Sequence, residues 1–286
     1  MVTKGVVAGE LLVTFAKNQP MENQPDFLKT YDPELAHTLA KNILPKLEKY
    51  FRAEYKGFDN IPDRNFLGVG NHGGAYFTPE SYLWSGKYLM DKTPERPHML
   101  GLTHSFAVDL QEKIKSPFIR TGMIRGEYKN AIEALSHGYS IMVYPGGDRE
   151  TCKPFKERYT VDFYNHKGYI TLAIEAGVPI LPIVSIGGHE AVLSWYDGAE
   201  VAELLGWKKK FRLNVLPFTL PALPLPAQIT VSVLPPFTKT LDVKKEDARN
   251  PEVLAKLNEE LLGLMQAEMD RLAENRLPWI GKVLGR

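Results

Sequence analysis

The chain has 286 residues, 44% of them hydrophobic and 24% charged, with 35 basic side chains against 34 acidic ones. That composition excludes wholesale disorder, and a formal charge of +1 gives no electrostatic reason to expect nucleic acid as a partner. The single cysteine, Cys152, excludes an internal disulfide and fits a reducing compartment.

Residues 1 to about 30 are polar and proline-containing and predict an irregular lead-in. Their apolar stretch, Leu11 to Ala16, is too short for the core of a signal peptide and lacks an upstream basic cluster. Asp32-Pro33 then predicts an N-cap with proline at the first helical position. Leu35, Leu39, Ile43, Leu47 and Tyr50 recur at spacings of three and four, as one apolar helix face. Pro45 is expected to kink that helix or end it early.

In the middle of the chain short apolar runs alternate with helical stretches. Phe66 to Gly70, Met99 to Leu102, Ile141 to Tyr144 and Ile180 to Ile186 predict buried strands. Tyr128 to Ser136 and Tyr169 to Ala176 predict helices, with Gly138 and Gly177 placed to close them. Phe211 to Leu216 and Ile229 to Leu234 are expected as later strands on either side of a proline-rich loop. Asn250-Pro251 caps a last helix, with Leu254, Leu257, Leu261, Leu264 and Met265 on its buried side. The order predicts an α/β fold: a mixed, largely parallel central sheet flanked by helices. An N-terminal lead-in and helix are expected over residues 1–58, and an α/β domain with a C-terminal helix over 59–286. No uninterrupted run of 18 apolar residues occurs, so no transmembrane helix is expected. The chain is expected to be cytoplasmic, or peripheral on the cytoplasmic face of the membrane.

Two segments carry chemistry. Val69-Gly-Asn-His-Gly-Gly-Ala-Tyr-Phe-Thr-Pro-Glu80 puts His72 among glycines where a strand should end, with a carboxylate shortly downstream. In α/β proteins such ends combine a rigid sheet with a variable loop, and Asn71, Gly73 and Gly74 permit close backbone approach. A histidine base needs a partner that fixes its tautomer. If Thr78 or Pro79 starts a helix, Glu80 lies in its first turn and faces back towards the ring. The plain alternative is a histidine that caps a turn. The second segment, Tyr144-Pro-Gly-Gly-Asp-Arg-Glu150, offers backbone N–H groups at Gly146 and Gly147 and the planar donor fork of Arg149. Its plain alternative is a strand corner with a surface ion pair.

With these segments the chain resembles the glycerolipid and lysophospholipid acyltransferase superfamily, and especially its branch similar to monoacylglycerol and diacylglycerol acyltransferases. The family's first block, Asn-His followed by an acidic residue, is matched by Asn71-His72 with Glu80. Its third block, usually Phe-Pro-Glu-Gly-Thr-Arg-Ser, aligns with residues 144–150. Its fourth, a Val-Pro-x-x-Pro strand, aligns with Val178 to Pro182. Pro117 to Arg125 occupies the place of the middle block. The blocks together cover roughly residues 60 to 190.

The resemblance implies direct transfer of a fatty acyl group from an acyl thioester to a hydroxyl of a glycerolipid or related lipid alcohol. Acyl-coenzyme A or acyl carrier protein would be the co-substrate, and no cofactor or metal is implied. His72 would act as general base and Glu80 would orient it. Asn71, Gly73, Gly74, Arg125, Gly146, Gly147, Arg149 and Glu150 would form the substrate-binding surroundings. Two departures stand out. The usual acid lies five residues after the histidine, where this chain has Phe77, and Gly146 replaces the glutamate of phosphate-handling members. The Pro-Gly-Gly form looks more like the neutral-lipid branch.

Rival readings use other residues. His104 and Asp109 have the family's usual histidine-to-acid spacing but lack the asparagine and the glycine turn. Cys152, near Lys153 and Lys156, is a weaker nucleophile candidate. No Gly-x-Ser-x-Gly turn and no His-x-x-x-His or Cys-x-x-Cys pair occurs. A non-catalytic lipid-binding protein on the same scaffold is the alternative, with Phe77 as its best argument. Lys153, Lys156 and Arg158 suit a coenzyme A phosphate or a solvated loop. Lys208-Lys209-Lys210 suits a peripheral membrane contact or a charged turn. Trp195 and Trp207 are expected in the core.

Overall fold

The structure, a computed structural model, describes residues 25–75, 77–196, 198–207, 209, 214–215, 218–220 and 223–282. The expected lead-in up to residue 24, most of the strand expected at residues 211–216, and Lys208 and Lys210 lie outside the described residues.

Helix α1 (Pro33–Phe51) begins as its sequence predicts: the Asp32 carboxylate accepts from the Leu35 amide at 2.9 Å, and Pro33 opens the first turn. Pro45 neither ends nor divides it. Pro45 and Lys41 both lie on the exposed face, where water can satisfy the carbonyl that loses its N–H donor. The buried line is also one residue away from the expected one, running through Ala36, Leu44 and Phe51, while Tyr50 is 45% exposed.

After α1 come β1 (Glu54–Lys56), β2 (Leu67–Gly70), α2 (Pro79–Met90), β3 (Met99–Thr103), α3 (Ser105–Lys113), β4 (Met123–Arg125) and α4 (Tyr128–Ser136). Next are β5 (Ser140–Val143), α5 (Gly147–Thr151), α6 (Gly168–Ala176), β6 (Ile180–Ile186), α7 (Gly188–Ala191), β7 (Leu193–Tyr196), α8 (Ala199–Leu204) and β8 (Phe218–Leu220). The chain continues through β9 (Thr230–Val233), α9 (Pro251–Ala273), β10 (Arg276–Leu277) and β11 (Gly281–Lys282). Seven strands form the central sheet in the order β1-β9-β6-β2-β5-β3-β4. The five from β6 to β4 are mutually parallel, and β9 reverses direction against β6. The architecture is therefore the expected α/β sheet, mixed and largely parallel, with helices around it. The two three-residue strands β1 and β4 sit at its edges, too short to show a periodicity in sequence.

Both faces of the sheet are covered. One side packs Ile170, Leu172 and Ile174 of α6 with Leu257, Leu261, Met265 and Met269 of α9. The other packs Leu44 and Phe51 of α1 with Leu83, Trp84 and Tyr88 of α2. The long runs of β2 and β6 are buried at every position, as strands covered on both faces must be. Leu264, expected on the buried side of α9, is 52% exposed, and Met269 and Leu272 extend the buried line instead. Trp195 is 60% exposed on β7 rather than in the core. Among the described residues no helix is long and apolar enough to cross a membrane.

One half-buried polar contact outside the sheet's central end links stability to pH. The Tyr31 hydroxyl lies 3.0 Å from His98 Nδ1, and burial holds the His98 imidazole down at about 4 from its ordinary value near 6.5. The folded protein thus binds this proton less readily than the unfolded chain. The stability contribution is present above pH 6.5 and is lost as pH falls from there towards 4. Urea unfolding at pH 7 and pH 4.5 should show this loss, and His98→Asn should flatten it. An unchanged acid limb in the variant would rule out the contribution.

Candidate active site

The site assembles at the C-terminal ends of β6, β2 and β5, three adjacent parallel strands. Chain order reverses around β2, which is where open α/β sheets leave a crevice for ligands. His72 follows β2 by two residues. Its Nδ1 lies 2.8 Å from Glu80 Oε1, whose side chain is almost completely buried in the first turn of α2. The same oxygen accepts from the Gly73 amide at 2.9 Å. A carboxylate at a helix N-terminus is also favoured by the helix dipole. Because the carboxylate accepts, Nδ1 carries the hydrogen, and Nε2 is the nitrogen left for a substrate. The imidazole side chain is 17% exposed.

The eight-residue separation of His72 and Glu80 works because the loop between them is tightly folded. Gly74 has φ +78°, and a Cβ there would stand 2.6 Å from Pro79 Cδ. Only glycine fits that corner. Ala75 and Thr78 also take positive φ, turning the chain so that α2 starts beside the imidazole. Phe77, at the position of the family's usual acid, is 37% exposed and packs on Phe51 and Tyr82.

Tyr144, the last residue before the proline-glycine turn, stacks on the His72 ring with centroids 4.2 Å apart and planes 16° from parallel. The absence of a side chain on Gly70 makes the stack possible, since a Cβ there would stand 2.8 Å from the Tyr144 ring. The His72 backbone is held as well. Its amide donates to Glu150 Oε2 at 3.0 Å, and its carbonyl lies 3.1 Å from His189 Nε2. Burial pushes the His189 imidazole far below its usual range, so the ring is neutral and Nε2–H donates.

The other expected site residues fall into two groups. Asn71 is buried beside the site and bridges to β6, donating to the Ser185 carbonyl at 2.9 Å and accepting from its amide at 2.7 Å. Glu150 is wholly buried and meets the His72 loop rather than the solvent. The Gly147 amide donates to the Tyr144 carbonyl at 3.1 Å, which engages one of the two expected oxyanion donors. Arg149 is exposed beside the site, its guanidinium 4.7 Å from the centre of the Tyr164 ring. Arg125 stands apart. It ends the edge strand β4, three strands from β2, and pairs with Asp109 at 2.5 Å and Glu112 at 2.9 Å. Asp109 is thereby engaged away from His104, whose Nδ1 caps α3 by accepting from the Phe106 amide. Cys152 is 1% exposed, packed with Ala75, Val192 and Val215, and so is closed to a substrate.

Sequence reasoning missed the contribution of Gly187-Gly-His-Glu190 after β6. Glu190 is fully buried and accepts from Arg276 Nε and Nη2 at 2.9 and 2.8 Å, from the Tyr159 hydroxyl at 2.8 Å and from the Trp279 amide at 2.8 Å. A glycine pair followed by His-Glu at the end of a strand is the same signal that marked His72.

Residues 52–186 match the Acyltransferase family. An uncharacterized protein of Mycobacterium tuberculosis is 26% identical over 250 residues, covering 86% of this chain and 69% of the relative. A DGAT1/2-independent enzyme synthesizing storage lipids, from Gallus gallus, is 27% identical over 197 residues, covering 65% of this chain and 56% of that protein. The crystal structure of the 1-acyl-sn-glycerophosphate (LPA) acyltransferase PlsC from Thermotoga maritima aligns with a TM-score of 0.46 at 16% identity, over 92% of this chain and 88% of that one. Residues 52–186 thus carry the likeness to acyltransferases.

Proposed function

We propose that this protein transfers a fatty acyl group from an acyl thioester, acyl-coenzyme A or acyl carrier protein, to the hydroxyl of a neutral glycerolipid or related lipid alcohol. The observation that carries the reading is the His72–Glu80 pair at 2.8 Å, stacked on Tyr144 at the end of the central strand. His72 Nε2 takes the proton of the acceptor hydroxyl as its oxygen attacks the thioester carbonyl. The C–O bond forms, the C–S bond breaks, and the imidazolium returns its proton to the departing thiolate. General-base help of this kind contributes about 10²–10⁴-fold. Glu80 holds the tautomer and stabilises the imidazolium.

Several features favour a neutral lipid acceptor. In the middle block, Arg125 is compensated by Asp109 and Glu112, and Arg120 by Asp32 at 2.5 Å. Neither guanidinium is left uncompensated for a phosphate headgroup. Phe77, Tyr82 and Phe118 form a run of aromatic contacts leading away from the His72 loop, and Phe77 and Tyr82 are 37% and 43% exposed. Such a surface suits an acyl chain or a peripheral membrane contact. Arg149, exposed on Tyr164, suits a phosphate of the donor. The relative from Gallus gallus is named for storage-lipid synthesis, in line with the same acceptor class. The carrier alternative loses its main support, because Glu80 supplies the acid that Phe77 does not.

The test uses purified protein with palmitoyl-coenzyme A and monoolein, following thiol release and diacylglycerol by mass spectrometry. The wild type should form both products in equal amounts. Glu80→Gln, which removes the charge and keeps the shape, should lower kcat by about 10²–10⁴-fold with little change in KM. Absence of turnover with any lipid alcohol, or full turnover in the variant, would overturn the proposal.

A further inference from the structure

We propose that Glu150 is a positioning residue that holds the His72 backbone, and that its carboxylate fills the buried space of the glutamate the family pattern carries at position 146. The inference rests on the role of His72 given above.

Gly146 has φ −66° and ψ −20°, an ordinary right-handed helical conformation that any residue adopts. Its backbone therefore gives no reason for glycine. The reason is its neighbour one turn on. A Cβ on residue 146 would stand 2.4 Å from Glu150 Cβ, 2.7 Å from Cδ and 2.3 Å from Oε2. Residues i and i+4 share a helix face, and the Glu150 amide donates to the Gly146 carbonyl at 3.2 Å, which fixes that register. Glutamate at 146 and glutamate at 150 thus exclude each other. This chain keeps an acid there and delivers it from position 150, where the family pattern has serine.

The delivered carboxylate has a definite task. Glu150 is 0% exposed, too deep to meet a substrate, and its Oε2 accepts from the His72 amide at 3.0 Å. His189 takes the carbonyl of the same residue, so both peptide groups flanking the His72 α-carbon are held by hydrogen bonds. With Nδ1 on Glu80 and the ring on Tyr144, the direction of Nε2 follows from four separate contacts. A misplacement of about 1 Å at such a base costs about 10²-fold in rate. Burying a carboxyl for this purpose is unfavourable, and burial does hold Glu150 above the usual carboxylate range, opposed by Lys153 and by the amides of His72 and Asp162. A carboxyl kept in such a place by packing alone would be better replaced by an apolar side chain.

The experiment compares Glu150→Ser, Glu150→Gln, Gly146→Glu and the exchange Gly146→Glu/Glu150→Ser. It measures kcat and KM with palmitoyl-coenzyme A and monoolein, thermal unfolding, and the His72 backbone amide by NMR. Glu150→Ser should lower kcat about 10- to 100-fold, leave KM within about twofold, and move the His72 amide proton upfield. Glu150→Gln, which keeps a carbonyl acceptor, should lose less on both measures. Gly146→Glu alone should unfold at a lower temperature from the overlap. The exchange should recover at least tenfold of the lost kcat and return the amide signal towards its wild-type position. A merely space-filling Glu150 would change unfolding without moving the amide, and that result overturns the inference. So does an exchange variant no better than Glu150→Ser in rate and amide position. If the wild type itself proves inactive, the proposed function fails, while the amide signals still decide whether Glu150 holds His72.

Discussion

His72→Ala should reduce acyl transfer by about 10³–10⁴-fold while the protein remains folded. The expectation follows from what the ring does and what its loss leaves behind. Without the imidazole no group accepts the hydroxyl proton, and the attacking oxygen remains a neutral alcohol. Glu80 retains the Gly73 amide as a hydrogen-bond donor, and the loop retains Glu150 on the His72 amide and His189 on the carbonyl. The backbone contacts that shape the turn therefore survive. Added imidazole should restore part of the lost rate by entering the space the ring vacates, against the open face of Tyr144. Transfer by His72→Ala at the wild-type rate would show that the base is elsewhere. Activity that stays abolished in a variant with altered unfolding and no imidazole rescue would indicate collapse of the loop instead.

The largest loss of stability is expected from Arg276→Ala. Both side chains of the Arg276–Glu190 pair are 1% exposed, and the guanidinium meets the carboxylate with two parallel hydrogen bonds. It also reaches the Gln228 carbonyl at 2.5 Å. Removing one partner strands a buried charge, a change that costs about 3–5 kcal/mol. Urea denaturation should show that loss as a lower midpoint with a similar slope. Joint replacement by apolar residues, Arg276→Met with Glu190→Leu, should recover only part of it. The Tyr159 hydroxyl and the Trp279 amide would still have lost their acceptor. A single variant as stable as the wild type would mean that water reaches Glu190 and solvates it.

The fold was legible where the apolar runs were long. The segment Ile180 to Ile186 predicted β6 to the residue, and Asp32-Pro33 and Asn250-Pro251 placed the starts of α1 and α9. Burial was harder to read. The buried line on α1 and the exposed Leu264 depend on the rotation of each helix against the sheet, which spacing of apolar residues alone does not determine. At the site, His72 and its acid were legible because one short loop contains both. The stack with Tyr144 was hidden, since it needs β5 beside β2 and a missing side chain at Gly70. The task of Glu150 was hidden too, because polar residues after a strand read as solvent-facing until burial is known. Glu190 and Arg276 are 86 positions apart, and nothing local marks either as the partner of the other.

That last pair has a bearing on how the protein matures. His189 steadies the His72 loop and its neighbour Glu190 is tethered to Arg276, so the placing of residues 72 to 80 depends on chain made about two hundred positions later. During synthesis the parallel strands from β2 to β6 can pair before that tether exists. Competence would arrive late and abruptly, once the closing stretch around Arg276 has emerged and docked.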